Sequence, residues 1–402
     1  MPAIDAWGMF LLEPRQPLQR RAFRIEPPAA GEVVVQVAGC GLCHTDLGFI
    51  DGGVKTRHDL PLVLGHEISG TVIACGEGCE DWQGRQVVVP AVLPCGECEL
   101  CAAGRDNICQ RQRMPGNDFH GGFASHLAVP ARFLCALPGD LGGFPLAELS
   151  VVADAITTPY QSVLRSGLAA GEVAIVIGVG GVGLYMVQHA RNRGAQVIAI
   201  DVDPSRLQAA AAQGAAFTVN AREFDERELR KHLRAACKAR GWPDTRWRVF
   251  ETSGTAAGQR SAYSLLSFAG TLGVVGFTMD KTELRLSNIM AFDADVFGNW
   301  GCRPAHYPAV VADVLAGRIE VRRNVRQFPL SGINAVIADA QAHRLDARAV
   351  LVPCPPCLRA DDEEPPPDRP LRLPRHPGRE APAARCARRR SARPVQRLDP
   401  AQ

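Results

Sequence analysis

Four cysteines fall within a single 15-residue stretch, in the order Cys95-x2-Cys98-x2-Cys101-x7-Cys109. Four thiolates at this spacing suit a closed tetrahedral zinc site, which is structural because it leaves no position open for a substrate. A chance grouping of four buried cysteines is the alternative. A nucleic-acid-binding zinc finger usually splits its cysteines into two pairs in basic surroundings, whereas Glu97 and Glu99 are acidic here.

A second set of metal-binding residue types lies upstream of these cysteines. It consists of two short runs, Cys43-His44-Thr45-Asp46 and Gly65-His66-Glu67-x2-Gly70. A thiolate, an imidazole and a nearby carboxylate are the ligand types that a catalytic zinc prefers, with one position left for water or substrate. His66 alone would be interpreted as a core histidine, but its combination with Cys43 favours a catalytic metal.

A glycine-rich turn follows the apolar segment 174–179 and opens a helical pattern. The turn contains Gly178, Gly180, Gly181, Val182 and Gly183. Such glycines let a pyrophosphate approach the backbone amides at a helix N-terminus. Asp201 ends the next apolar segment, 23 residues after Gly178, where an acid can hold the ribose hydroxyls. Asp201 favours NAD over NADP because a 2′-phosphate would meet a like charge, and Arg206 could also touch the ribose.

The elements that must position these residues fall into three parts. Residues 1–150 are dense in Gly and Pro and alternate apolar and polar positions in segments such as 31–39, which predicts a β-rich domain. Residues 151–290 alternate short apolar segments with helical patterns, as in a doubly wound α/β domain with a parallel sheet. Residues 291–353 mix helix and strand, and we expect them to pack back onto the first domain.

The last 49 residues, 354–402, differ in composition from the rest of the 402-residue chain. They hold 11 Pro and 11 Arg and no aromatic residue, which predicts disorder because too little apolar surface is available for burial. The codons for Pro, Arg and Ala are GC-rich, so the segment resembles a gene read in a shifted frame or past its stop. A natural disordered tail is the alternative, and we assign the segment no chemistry.

Charge and hydropathy exclude two classes of partner. Without the tail the chain has 34 basic and 35 acidic residues, so nothing indicates nucleic-acid binding. No uncharged apolar run approaches the ~18 residues that span a bilayer. The N-terminus also lacks the pattern of a signal peptide, and the sequence therefore predicts a cytoplasmic protein.

Over residues 1 to about 353, the sequence resembles the zinc-dependent medium-chain alcohol dehydrogenases. The resemblance is carried by the segment from Gly65 to Cys79, by the four-cysteine lobe and by the dinucleotide motif. It implies a GroES-like catalytic domain, a Rossmann domain, NAD, and one catalytic and one structural zinc per chain. It also implies a homo-oligomer, either a dimer or a tetramer.

The resemblance assigns roles to the candidate metal ligands. Cys43 and His66 would bind the catalytic zinc, and Asp154 would fill the third ligand position, where the family has Cys or Asp. Glu67 would be a nearby carboxylate that approaches the metal when the water or substrate position changes. Asp46 would orient the His66 ring through its other nitrogen.

The resemblance also addresses the path of the substrate proton. Thr45 would pass the hydroxyl proton onward, and His44 would lie beside the cofactor pyrophosphate. Many family members carry a relay histidine where this chain has Gly48. The proton must therefore leave through the cofactor ribose, through water or through another histidine such as His58 or His120.

Within the family, four segments resemble the 6-hydroxycyclohex-1-ene-1-carboxyl-CoA dehydrogenases of anaerobic benzoyl-CoA degradation. These are residues 37–49, 60–70, 87–101 and, most distinctively, 114–132. The implied substrate is the ring alcohol of a cyclic acyl-CoA. A general secondary or benzylic alcohol dehydrogenase, a zinc-free quinone-reductase-type relative and a non-catalytic zinc- or NAD-binding protein are the alternatives. The ligand set with Asp154 argues against the zinc-free relative.

Overall fold

The computed structural model describes residues 2–353. The predicted tail, residues 354–402, lies outside the described residues. The first eight strands are β1 (Ile4–Leu11), β2 (Gln19–Ile25), β3 (Glu32–Gly41), β4 (Leu62–Val63), β5 (Glu67–Cys75), β6 (Gln86–Val89), β7 (His126–Pro130) and β8 (Cys135–Ala136). The remaining strands are β9 (Val173–Ile177), β10 (Gln196–Asp201), β11 (Phe217–Asn220), β12 (Arg248–Glu251), β13 (Thr271–Val274), β14 (Asp295–Gly298), β15 (Val325–Pro329) and β16 (Arg348–Val352).

The helices are short in the first part of the chain and longer from residue 157 onward. They are α1 (His44–Ile50), α2 (Glu99–Ala102), α3 (Thr157–Arg165), α4 (Gly181–Asn192), α5 (Pro204–Ala212), α6 (Glu226–Arg240), α7 (Ala256–Ser264), α8 (Ser287–Phe292), α9 (Tyr307–Leu315) and α10 (Ile333–Gln341). A 3₁₀ segment, Leu146–Ala153, leads into α3. No helix among residues 2–353 has the length and apolar character needed to cross a membrane.

The β-rich part is built on two sheets. One has the order β2-β1-β4, and the other has the order β15-β16-β3-β5-β6-β8, with β7 also paired to β3. The strand β3 does not keep the predicted alternation, because Val34 is buried as fully as Val33 and Val35. Since β3 has neighbours on both edges and packed side chains on both faces, its apolar run is nearly continuous.

The second part of the chain is the predicted doubly wound domain, and the α/β fold class is confirmed. Its six strands are all parallel, in the order β11-β10-β9-β12-β13-β14. The side chains of β9 are buried on both faces, since one face contributes to the core with Ile175 and the opposite face to the core with Val176. The carboxyl ends of β9 and β10 therefore meet the N-terminus of α4, where the glycine-rich turn lies.

The boundary near residue 290 needs a correction. The strand β14 pairs with β13 from Thr271↔Asp295 to Val274↔Gly298 and so extends the parallel sheet beyond residue 290. The short helix α8 directly precedes this four-residue strand, so the sequence pattern does not distinguish the strand from its surroundings. The return to the first domain comes later, where β16 pairs with β3 through Leu351↔Cys40 and α10 adds Ile333 to the first core.

Candidate active site

Three separate elements bring the predicted catalytic ligands together. Cys43 caps α1, His66 immediately precedes β5, and Asp154 joins the 3₁₀ segment to α3. Their ligand atoms, together with one from Glu67, all lie within 4.8 Å of one another. The chain therefore brings together at one point residues that lie up to 111 positions apart.

The donor atoms surround a space that suits a metal ion. The Oδ2 atom of Asp154 is 3.8 Å from Cys43 Sγ and 3.7 Å from His66 Nε2. His66 is only 1% exposed, yet its Nε2 has no hydrogen-bond partner among the described residues. Buried polar atoms are normally satisfied, so a partnerless Nε2 facing a thiol and a carboxylate fits zinc coordination.

Asp46 contacts the backbone of Cys43 and the side chain of His66, two of the proposed ligands. Its Oδ2 accepts a hydrogen bond from the Cys43 amide at 3.0 Å, and its Oδ1 accepts one from the Gly65 amide at 3.1 Å. The same Oδ1 lies 3.4 Å from His66 Nδ1. Burial lowers the pKa of His66, but the negative charges of Asp46 and Cys43 outweigh burial and raise that pKa well above its ordinary value. The site therefore favours a cation beside His66.

Glu67 makes an ion pair that sequence reasoning missed. Arg348 Nε lies 2.7 Å from Glu67 Oε2, and Arg348 Nη2 lies 2.5 Å from Oε1. Oε1 also accepts the Ala155 amide at 3.1 Å. Glu67 can therefore reach a metal only if this pair opens. The one signal in the sequence was an arginine at the start of the otherwise apolar strand β16.

The four cysteines of the second motif form a compact cluster. The contacts that join them are 3.4 Å for Cys109–Cys95, 3.5 Å for Cys98–Cys101, 3.6 Å for Cys98–Cys109 and 3.9 Å for Cys95–Cys101. A zinc tetrahedron with Zn–S bonds of about 2.3 Å has edges of about 3.8 Å between its sulfur atoms. The cluster therefore fits a closed, structural zinc site, and these distances exclude disulfides.

Two glycines of the glycine-rich turn, Gly178 and Gly183, leave no room for a side chain. Gly178 has φ +82°, and a Cβ there would lie 2.5 Å from the Cα of Ser253. A Cβ on Gly183 would collide with the carbonyl oxygen of Gly178. Gly180 caps α4, which begins at Gly181 and includes Val182 in its first turn. The backbone amides at this end are thus accessible to a pyrophosphate.

Asp201 lies at the end of β10 beside this turn. Its Oδ2 accepts the Val179 amide at 2.8 Å, and its Oδ1 accepts the amides of Val202 and Asp203 at 2.7 and 3.0 Å. The acid is 5% exposed and links the two loops that would surround a ribose. Arg206, in the first turn of α5, lies 3.9 Å from the Asp203 carboxylate.

Cationic groups converge on the same turn. Arg348 Nη1 lies 2.9 Å from the point where a Gly181 Cβ would be, and Arg206 Nη1 lies 3.6 Å from the corresponding point at Gly180. His44 is close enough to both arginines that they lower its pKa, in addition to the larger effect of burial. Cations gathered at a helix N-terminus fit the binding of an anionic pyrophosphate.

The residues considered for proton transfer lie in different places. Thr45 Oγ1 is 3.8 Å from Cys43 Sγ, at the edge of the metal site. His120 accepts the Val63 amide at 3.1 Å and packs against Phe10, and burial lowers its pKa to about 4. His120 is therefore held as a neutral packing residue, next to His58, with ring centroids 5.6 Å apart.

The loop within residues 114–132 packs against the turn at Gly65, which precedes the proposed ligand His66. A Cβ on Gly116 would lie 2.7 Å from the Gly65 amide, and one on Gly121 would collide with the Gly65 carbonyl oxygen. Asn117 accepts the Arg57 amide at 3.0 Å. The loop's glycines are thus explained by close packing against the turn before His66.

Comparison with known proteins agrees with this geometry. Residues 29–139 match the alcohol dehydrogenase GroES-like domain, and residues 181–316 match the zinc-binding dehydrogenase domain. The chain is 27% identical over 340 residues to an alcohol dehydrogenase of Geobacillus stearothermophilus, covering 84% of this chain and 96% of that protein.

Two further relatives extend the comparison. The 2-dehydro-3-deoxy-L-galactonate 5-dehydrogenase of Pseudoalteromonas atlantica is 30% identical over 331 residues, which are 81% of this chain and 93% of that protein. The crystal structure of the alcohol dehydrogenase of Aeropyrum pernix superimposes with a TM-score of 0.77 at 29% identity, covering 86% of this chain and 100% of that one. The chain belongs to the zinc-type medium-chain alcohol dehydrogenase family and acts on CH–OH groups.

Proposed function

We propose that this protein oxidises a secondary alcohol to a ketone with NAD, at a zinc held by Cys43, His66 and Asp154. The observation that carries the proposal is the buried imidazole of His66, whose Nε2 has no hydrogen-bond partner and faces a thiol and a carboxylate. A zinc held there would act as a Lewis acid that lowers the pKa of the substrate hydroxyl toward neutrality. NAD bound at the glycine-rich turn would accept the hydride.

The residues around the metal ligands have separate tasks in this scheme. Asp46 holds the Cys43 amide and the His66 ring, so both ligands keep one orientation. Arg348 neutralises Glu67 and extends toward the N-terminus of α4, where it would meet the cofactor pyrophosphate. Arg348 therefore connects the metal site with the cofactor site through a single side chain.

In this proposal Thr45 would take the proton of the substrate hydroxyl. Its Oγ1 lies at the edge of the ligand cluster, 3.8 Å from Cys43 Sγ. His44 follows Cys43 at the start of α1 and lies near the cationic groups of the cofactor turn. Because Gly48 offers no side chain, we propose that the proton leaves past His44 or the cofactor ribose to solvent.

The geometry at β10 supports NAD as the cofactor. Asp201 lies between the glycine-rich turn and the Val202–Asp203 loop, so both of its oxygens border the space for an adenosine ribose. A 2′-phosphate in that space would be repelled by Asp201 and by Asp203. Arg206 is partly occupied by its contact with Asp203.

Two substrate classes compete. The named relatives act on alcohols and on a sugar acid, which favours a free secondary alcohol or polyol. The resemblance of residues 114–132 to the cyclic acyl-CoA dehydrogenases favours the ring alcohol of 6-hydroxycyclohex-1-ene-1-carboxyl-CoA. The packing of Gly116 and Gly121 against Gly65 explains part of that segment without a CoA ligand, so we place the free alcohol first.

A substrate panel separates these classes. NADH formation is measured with secondary, benzylic and polyol alcohols beside the cyclic acyl-CoA alcohol, for the full-length protein. We expect turnover of free secondary alcohols at least tenfold above that of the thioester. Activity with the acyl-CoA alcohol alone would make the thioester, and not a free alcohol, the favoured substrate class. If neither kind of alcohol supported NADH formation, the proposed function would be contradicted.

We also propose that the protein is a homodimer formed through β14. This strand is an edge of the six-stranded sheet, and it follows a segment with strongly exposed apolar side chains. Leu286 is 68% exposed, Met290 76% and Val296 42%. An edge strand and an adjoining apolar surface together are typical of a sheet that continues into another chain.

The occupant that fits this edge best is a second copy of the chain. Antiparallel pairing of β14 with itself about a two-fold axis at Val296 would place Val296 opposite Val296 of the partner subunit. Asp295 would then face Phe297 of the partner subunit, so no like charges would meet. Self-complementarity of this kind is what a two-fold interface requires.

A further inference from the structure

The two carboxylate oxygens of Asp154 have different surroundings. Oδ2 faces the proposed metal position, 3.8 Å from Cys43 Sγ and 3.7 Å from His66 Nε2. Oδ1 points away and accepts a short hydrogen bond from the hydroxyl of Thr158. The side chain of Asp154 is therefore fixed with one oxygen toward the metal and the other engaged by the protein.

Thr158 is itself firmly held. It lies in the first turn of α3, is 7% exposed, and donates its amide to the Asp154 carbonyl at 2.9 Å. Its carbonyl accepts hydrogen bonds from Ser162 Oγ at 3.1 Å and from Asn299 Nδ2 at 3.4 Å. A threonine hydroxyl in a helix commonly bonds to the carbonyl four residues back. Here it bonds instead to the side chain at that position.

We propose that Thr158 is a positioning residue that holds Asp154 as a single-oxygen ligand and thereby sets the zinc affinity of the catalytic site. The proposal rests on the metal site of the proposed function. Without the hydroxyl, the Asp154 carboxylate could rotate, and the ligand set would no longer be preorganised. Partners that orient a metal ligand typically change metal affinity about 10- to 100-fold.

The test compares two substitutions that separate the hydroxyl from the shape of the side chain. Thr158→Val keeps the β-branched shape and removes the hydroxyl, whereas Thr158→Ser keeps the hydroxyl. Zinc affinity is measured by competition with a chromophoric chelator, in the absence of cofactor and substrate. The four-cysteine lobe, Cys95–Cys109, serves as an internal reference, because its zinc should stay tightly bound in every variant.

We expect Thr158→Val to weaken the catalytic zinc about 10- to 100-fold and Thr158→Ser to stay within about threefold of the native protein. The cobalt-substituted Thr158→Val protein should show an altered visible spectrum, since that spectrum reports ligand geometry. If Thr158→Val does not fold, Thr158→Ala removes the same hydroxyl with less steric demand and carries the same expectation.

Two results would overturn the proposal. One is native zinc affinity in a folded variant that lacks the hydroxyl. The other is an equal loss in Thr158→Ser, which would show that packing, and not the hydrogen bond, matters. A native protein that binds zinc only in the four-cysteine lobe would instead contradict the proposed function, so the two failures are distinguishable.

Discussion

At the proposed catalytic zinc site, each of two functional side chains is oriented by a second side chain that would not touch the substrate. Asp46 orients His66, and Arg348 holds Glu67. Each supporting contact is buried, where hydrogen bonds between charged groups are strong and the loss of one partner is costly. Substitution of a supporting residue should therefore alter metal or cofactor binding as well as stability.

Arg348 gives the first prediction. Its side chain is 7% exposed and its partner Glu67 is fully buried. Arg348→Gln should leave an unpaired buried carboxylate and lower the free energy of unfolding by about 3 kcal/mol. It should also weaken NAD binding, because the guanidinium reaches the N-terminus of α4. Denaturant unfolding without cofactor, and a separate NAD titration, measure the two effects.

The matched control is an exposed arginine in an ion pair. Arg326 pairs with Asp346, and both side chains are more than half exposed. Arg326→Gln should cost less than about 1 kcal/mol and leave NAD binding unchanged. If the Arg348 and Arg326 variants were equally stable, the inferred role of the buried pair would be wrong.

Asp201 gives the second prediction. Asp201→Asn replaces a carboxylate that accepts three amides with a group that has one acceptor oxygen. The Kd for NAD should rise about tenfold, and the preference for NAD over NADP should narrow. Asp5→Asn, on β1 and with its side chain 88% exposed, is the control and should leave NAD binding unchanged. An unchanged NAD to NADP ratio in Asp201→Asn would remove Asp201 from the ribose site.

At the scale of elements, β9 is anchored at its start by an ionic cluster. Glu172, just before β9, pairs with Arg246 and Arg248 near β12. Burial raises the pKa of Glu172, but the Ala169 amide and the two arginines outweigh it, so the pKa lies below its ordinary value. This carboxylate should therefore stabilise the fold above its unfolded pKa of about 4.3 and lose that effect as the pH falls through its lowered pKa.

Glu172→Gln tests this directly. At pH 7 the variant should be less stable than the native protein by roughly 1–3 kcal/mol, because two guanidinium groups lose a charged acceptor. The difference should shrink as the pH falls below about 4.3 and vanish once Glu172 is protonated in the native protein. Urea unfolding across this range is the measurement, and a gap that does not change with pH would contradict the ionic explanation.

The elements that local signals could specify were predicted well. Asp203 and Pro204 correctly mark the start of α5, where Asp203 accepts the Ser205 amide at 2.8 Å. The segment 196–201 corresponds to β10. Caps, turns and apolar runs act over a few residues, so the sequence displays them.

Other features depend on contacts between distant parts of the chain. Arg348 lies 281 positions from Glu67, and no local sequence pattern predicts that the two residues form an ion pair. The strand β14 is short and follows α8, and only its pairing with β13, which sequence patterns do not show, makes it part of the parallel sheet. Val34 is buried because β3 gains neighbours on both edges, which periodicity within one strand cannot reveal.

For the whole molecule, the proposed dimer is the feature with the largest consequence. Val296→Arg would place two like charges against each other across the two-fold axis, so the protein should become monomeric. Thr218→Arg, on β11 at the opposite edge of the same sheet, is the matched control. Sedimentation at micromolar concentration measures the result. A native monomer, or a Val296→Arg dimer, would contradict the proposed interface.

The central claim is that a zinc held by Cys43, His66 and Asp154 supports NAD-dependent alcohol oxidation. The most direct measurement is zinc content, together with NADH formation from a secondary alcohol, for the native protein and Asp154→Ala. The native protein should hold about two zinc ions per chain, and Asp154→Ala about one, retained by the four-cysteine lobe, with activity lost. Retention of both metals and of activity in Asp154→Ala would contradict the account.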